Sequence, residues 1–253
     1  MKVLLLAAFL LVGPLAGARN IPSAIRKKGE SWLDHAKAYS KELNNPASAY
    51  ERRVKWDELV FTIVPTWESR ELVDEAFQKV RDTRFLDDPS VSSFLRRLSW
   101  LYPDDGCFMR AAFMSQMIEK VYSKQSARIF IFGDLYVETE NSPEGRVDWW
   151  YHTAPLIKFA EDVYVFDPAI NSSGVTEIKK WIQKQSVTLS EAELSVCDAN
   201  AYEPGEACEG SDSDEDTALQ HAPWYLQLER ERQVELQRNP EEVLGEHPPW
   251  LVI

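Results

Sequence analysis

The sequence predicts an α+β fold in which a cysteine-bearing helix packs on an antiparallel sheet, preceded by a helical segment. Three observations carry this. Apolar residues recur at three- and four-residue spacing in the first half of the chain, out to Val121. Beyond Ser126 the period changes to two, in β-rich runs separated by short turn clusters. The 253 residues, 44% hydrophobic with nine tryptophans, suffice for one substantial core with appendages.

Met1 to Ala18 has the layout of a secretory signal. Lys2 gives the positive end, Val3 to Val12 the apolar run, Gly13-Pro14 the break and Ala16-Gly17-Ala18 the small-residue cleavage site. The run is too short to span a bilayer, so the expectation is a secreted or periplasmic protein without a stable membrane anchor. The formal charge of −13 argues against nucleic acid and anionic membranes as partners, since either needs a basic face.

Two helices are expected next, Glu30 to Leu43, stopped by Asn44-Asn45-Pro46, and about Ala47 to Val64, with Tyr50, Val54, Leu59 and Ile63 as its stripe. A third spans Glu68 to Arg84 and buries Leu72, Val73, Ala76 and Val80; Asp87-Asp88-Pro89-Ser90 then breaks the chain. Pro103, Asp104, Asp105 and Gly106 form a turn, after which Ala111, Met114, Ile118 and Val121 mark a helix that starts at Cys107. A helix N-terminus favours an anion and so a thiolate. A buried free thiol acting as a small hydrophobe is the alternative reading.

Arg128 to Phe132 and Leu135 to Thr139 read as strands split by Gly133-Asp134, and Asn141 to Gly145 as a turn. Val147 to Ile157 and Asp162 to Asp167 form a hairpin around Lys158 to Glu161, which sets His152 opposite Asp167. A slip of two residues leaves them diagonal on one face. A carboxylate on one imidazole nitrogen frees the other to take a proton from a nucleophile, so Cys107, His152 and Asp167 can act as thiol, base and orienter. A purely structural His-Asp pair satisfies the same spacing.

His35, His221 and His247 read as solvated or packed. No zinc spacing occurs, and the Asp212, Asp214, Asp216 run lacks the glycine and final glutamate of a calcium loop, so no metal or other cofactor is expected. Cys197 and Cys208 flank a short polar loop and can bridge it, leaving Cys107 unpaired. Tyr202 to Asp216 holds seven acids and no base and reads as a solvated linker; Trp224 to Gln237 can return as a helix.

Several separated blocks resemble the protein-glutaminase family, secreted enzymes that deamidate glutamine side chains within proteins. They are Tyr102-Pro103 with Asp105-Gly106-Cys107-Phe108 and Arg110-Ala111; Phe132-Gly133 with Leu135; Trp149 with Tyr151-His152 and Ala154; and Asp167-Pro168 with Ser172-Ser173-Gly174. The resemblance covers about Pro65 to Trp181. It implies a transglutaminase-like, papain-like core, with Cys107 as nucleophile, His152 as general base and acid, Asp167 as orienter, and a pro-segment over the cleft. Tyr102, Asp105 and Trp149 become candidate substrate-binding residues, although strand parity sets Trp149 on the face opposite His152. The implied division is 1–18 signal, 19–64 pro-segment-like, 65–201 catalytic, and 202–253 acidic linker and C-terminal extension. A monomer acting on protein or peptide substrates with exposed glutamine is implied. A transglutaminase, a cysteine protease or an inactive binding protein would share the same frame.

Overall fold

The computed structural model describes residues 29–39, 45–209 and 215–251, so the expected signal segment lies outside the described residues. In chain order the elements are α1 (Trp32–Tyr39), β1 (Val54–Lys55), a 3-10 turn (Trp56–Glu58), β2 (Thr66–Trp67), α2 (Arg70–Asp82), β3 (Leu86–Asp88), β4 (Val91–Arg96) and α3 (Cys107–Tyr122). They continue with β5 (Ala127–Glu138), β6 (Arg146–Phe159), β7 (Asp162–Val165), β8 (Thr176–Glu177), α4 (Ile178–Lys184), β9 (Glu193–Asp198), α5 (Glu215–Glu235) and α6 (Pro240–Leu244). Among the described residues, seven strands form one sheet in the order β1-β9-β5-β6-β7-β8, with β2 added parallel to β6; β3 and β4 form a separate ribbon. The class is the expected α+β, with the cysteine helix against a largely antiparallel sheet.

α2 and α3 follow from local sequence. Ser69 caps α2 by accepting from the Leu72 N–H at 3.1 Å, and Val73, Ala76, Phe77 and Val80 make its buried face. α3 differs because it is buried nearly all round, from Cys107 to Ser115 without a break. Such a helix belongs inside a core. Its start is set by Gly106, whose φ of +77° is in the left-handed region that a side chain disfavours.

Four expectations are corrected. Ala47 to Val64 is not a helix: Val54 and Lys55 pair with Leu194 and Glu193 at the sheet edge, and Ala49 and Tyr50 are buried in the core. Backbone hydrogen bonds to a waiting strand outweigh a loose apolar stripe. Gly133-Asp134 does not separate two strands; it is a bulge within β5, where the register with β6 shifts between Phe132 and Leu135. The β6–β7 turn has two residues, not four, so Phe159 pairs with Asp162 and the register moves by two. Tyr202 to Glu209 is not a solvated linker: the Cys208 N–H donates to the Ala47 carbonyl at 2.8 Å, the Tyr50 N–H to that of Pro204 at 2.9 Å, and Tyr202 and Cys208 are buried.

The Cys197–Cys208 disulfide is formed and Cys107 is free. α5 begins well before the expected Trp224 and runs through Pro223 without breaking. The hydrogen bond that proline removes is outweighed by burial of Ala218, Ala222, Tyr225 and Leu226. No helix among the described residues is long and apolar enough to cross a membrane.

Candidate active site

Cys107 opens α3, His152 stands on β6, and Asp167 lies two residues beyond β7. All three are buried, with exposures of 3, 1 and 4%. The shifted hairpin register makes Asp167 a diagonal neighbour of His152, and the His152 Nε2–Asp167 Oδ2 distance is 2.7 Å. Nε2 is thereby taken. Nδ1 is buried with no hydrogen-bond partner among the described residues, and after Asp167 it is Cys107 that acts on the charge of the ring.

The electrostatics match that order. Burial would push the His152 imidazole below its ordinary value, but the Asp167 charge and hydrogen bond, with Cys107, outweigh it and raise the pKa to about 9. Burial would likewise raise Asp167, yet the His152 charge and bond, the Trp181 indole and Arg110 hold its carboxyl below the usual range. At neutral pH the pair is an imidazolium and a carboxylate, the state in which a thiolate can stand beside the ring.

Two tryptophans brace the imidazole. Trp149 stacks on it at 4.5 Å between centroids with 9° between planes, and its Nε1–H donates to the carbonyls of Pro103 and Asp104 at 3.1 and 3.0 Å. One indole therefore ties the turn before Cys107 to the base. Strict alternation would have set Trp149 and His152 on opposite faces, yet the two rings stack. Trp181 of α4 closes the other side at 5.7 Å and donates Nε1–H to Asp167 Oδ2 at 2.8 Å.

Of the candidate substrate-binding residues, Asp105 is buried and accepts from the Gly106 N–H at 2.7 Å, while its carbonyl accepts from Arg110 at 2.7 Å. Trp149 is buried as described. Tyr102 is half-buried under the Arg232 guanidinium, 5.1 Å from its ring, and burial with the nearby Asp104 charge pushes its hydroxyl up to about 12. Sequence reasoning missed Trp181, because no spacing rule joins a helical tryptophan to a carboxylate fourteen residues earlier. Among the described residues no cluster of three His, Cys, Asp or Glu side chains could hold a metal ion.

Trp181→Phe keeps a ring over His152 and removes the donor to Asp167. A hydrogen bond to a charged acceptor is worth about 1.5–3 kcal/mol, so kcat/KM should fall about tenfold to a hundredfold with KM little changed. An unchanged kcat would mean that Ala169 and His152 suffice to hold the carboxylate.

Residues 73–185 match the Gln_deamidase_2 family model, described as glutaminase. This matched segment covers less than half of the chain. It contains Cys107, His152, Asp167 and both bracing tryptophans, and it ends before α5. The chain is similar to a crystal structure of protein-glutaminase, with 21% identity and a TM-score of 0.49 over 65% of this chain and 88% of that one. An NMR structure of protein-glutaminase from Chryseobacterium proteolyticum gives 20% and 0.45 over 55% and 77%. A crystal structure of pro-protein-glutaminase gives 17% and 0.48 over 74% and 64%. No curated protein sequence matches the chain.

Proposed function

We propose that the chain is an exported protein-glutamine deamidase that converts side-chain amides of protein glutamines to glutamate and ammonia. The observation that carries this is a hydrogen-bonded His152–Asp167 pair beside a free cysteine at a helix start, inside the residues that match the glutaminase family model. The Cys107 thiolate adds to the carboxamide carbon, and the His152 imidazolium gives its proton to the departing ammonia. The thioester that remains is hydrolysed by water from which His152 takes a proton. The oxyanion of each tetrahedral intermediate forms at the start of α3, where the Cys107 N–H can receive it. The leader at Met1 to Ala18 and the Cys197–Cys208 disulfide support export to an oxidising compartment.

With Cys107 only 3% exposed, a glutamine side chain reaches it only after a covering segment withdraws. We assign that role to the part of the 19–64 region ahead of Ala47. α1 lies on the β5–β6 hairpin, with the Trp32 N–H on Asp134 at 3.3 Å and the His35 ring 5.9 Å from Trp150. A cut before Ala47 spares β1, whereas a cut at Pro65 removes it from the sheet.

The test is ammonia release from a glutamine-rich protein by the chain without its leader, before and after limited proteolysis, with mass spectrometry of the product. Glutamine converted to glutamate, faster after the cut, is the expected result. Incorporation of an added primary amine would make it a transglutaminase, backbone cleavage a protease, and no reaction from either form a binding protein.

A further inference from the structure

α5 lies outside the residues that match the glutaminase family model, yet it sets one face along the segment that leads into Cys107. Tyr225, Glu229 and Arg232 have i, i+4, i+7 spacing, which places them on one stripe of the helix. The Glu229 carboxylate accepts from the Leu101 N–H at 2.8 Å. The Arg232 guanidinium donates to Asp104 at 2.6 Å and to the Asn141 carbonyl at 2.8 Å. Tyr225 lies on Gly106: a β-carbon built there would sit 2.9 Å from Cδ1 and Cε1 and 3.0 Å from Cζ of its ring. The ring edge leading to the hydroxyl thus runs along the residue that precedes the nucleophile, and only glycine leaves room for it.

The hydroxyl has no other visible use. Tyr225 is fully buried and its oxygen has no hydrogen-bond partner among the described residues. Burying a polar group unpaired is costly, so a protein that keeps one invites a reason. The helix start beside it is equally unprovided for, since first-turn N–H groups lack intrahelical acceptors and Gly106 has no side chain to cap them. Donors that converge on an uncapped helix start suit a developing negative charge.

We propose that the Tyr225 hydroxyl is the second oxyanion donor, beside the Cys107 backbone N–H, for acyl transfer at Cys107. This rests on the deamidase reading. As the sulfur–carbon bond forms, the carbonyl π pair moves onto oxygen, which accepts hydrogen bonds from both groups. When the intermediate collapses the carbonyl re-forms, the carbon–nitrogen bond breaks, and ammonia leaves with the proton from His152. Tyr225 keeps its own proton throughout. Burial, followed by the charges of Asp105 and Cys107, raises its pKa far above the ordinary tyrosine value, so it remains a donor at any working pH.

Tyr151 is the rival donor to compare, because its hydroxyl is also buried with no hydrogen-bond partner among the described residues and the charges of Cys107 and Asp105 act on it too, while its ring packs on Trp150 and Phe132. Tyr225→Phe, Tyr151→Phe and the parent would be compared in the full chain before and after the proteolysis described above. Three readouts are taken: ammonia release, the rate of Cys107 alkylation by iodoacetamide, and affinity for a peptide bearing a side-chain aldehyde in place of the glutamine amide. The aldehyde forms a hemithioacetal whose oxygen occupies the oxyanion position. Tyr225→Phe should lower kcat roughly 10²–10³-fold and weaken aldehyde binding, with alkylation unchanged; p-aminophenylalanine at 225 should restore part of the loss. Turnover and aldehyde affinity equal to the parent, faster turnover, or a loss confined to Tyr151→Phe would overturn the assignment. A parent that binds the aldehyde without releasing ammonia would refute the deamidase reading while the affinities still decide on Tyr225. A parent that takes neither would refute both.

Discussion

Asp167→Asn is expected to lower turnover roughly 10³–10⁴-fold, the scale of the corresponding change in serine triads. Asn is the orienter in some cysteine enzymes, but the surroundings here exclude that exchange. Oδ2 accepts from both His152 Nε2–H and Trp181 Nε1–H, and Oδ1 accepts from the Ala169 N–H at 3.2 Å. An amide has one acceptor oxygen, so either orientation turns its NH2 toward a donor. The charge is lost as well, leaving only Cys107 to oppose burial, so the His152 pKa falls from about 9. The alkaline limb of kcat/KM, near pH 9 in the parent, should therefore move to lower pH. Stability changes with the same signs. The His152 contribution is complete below its unfolded value near 6.5 and is lost as pH rises through about 9; that of Asp167 is complete above 3.8 and is lost as pH falls through its lowered folded value. The parent should show both losses and the variant neither. A pH–rate profile with denaturation midpoints checks this, and an alkaline limb that stays near 9 would refute the assigned pair.

The placement of Cys107, His152 and Asp167 was legible in the sequence because each position depends on local rules. Turn formers ending in glycine fix where α3 begins, and a hairpin keeps His152 and Asp167 on one side even though its turn is two residues shorter than expected. What surrounds the triad depends on contacts between distant segments. Trp181 reaches Asp167 from a separate helix, and Trp149 meets His152 although strand parity sets them apart. The two misread stretches share a cause: Ala47 to Val64 and Tyr202 to Glu209 find backbone partners in each other and in β9, which neither segment reveals alone. The C-terminal extension illustrates the limit best. Its acidic approach suggested a loose appendage, yet Tyr225, Glu229 and Arg232 line the nucleophile turn.

Glu229→Ala should be the most destabilising single change in that extension, by about 3–5 kcal/mol. The carboxylate is fully buried and takes Arg96 Nη2 at 2.5 Å, Arg97 Nη1 at 2.7 Å and the Leu101 N–H at 2.8 Å. Arg96 keeps Asp88 at 2.7 Å as a second partner, but Glu229 is the carboxylate that pairs with Arg97. Arg97 is 1% exposed, and burial already lowers its pKa to about 10 against the pull of Glu229. Its stacking on Trp100 and Trp250, at 4.7 and 4.9 Å, spreads the charge over two aromatic faces without neutralising it. Alanine would thus strand a cation and a backbone N–H in the core, and the loop from Leu98 to Gly106 would lose its central anchor. Glutamine, which keeps one acceptor, should cost less. For a chain of this size the alanine change corresponds to a fall in Tm on the order of 10 °C, and urea titration of both variants reads the difference directly. A cost below about 1 kcal/mol would mean that Asp88 alone balances the two guanidinium groups, and α5 would then be a covering helix rather than a structural part of the site.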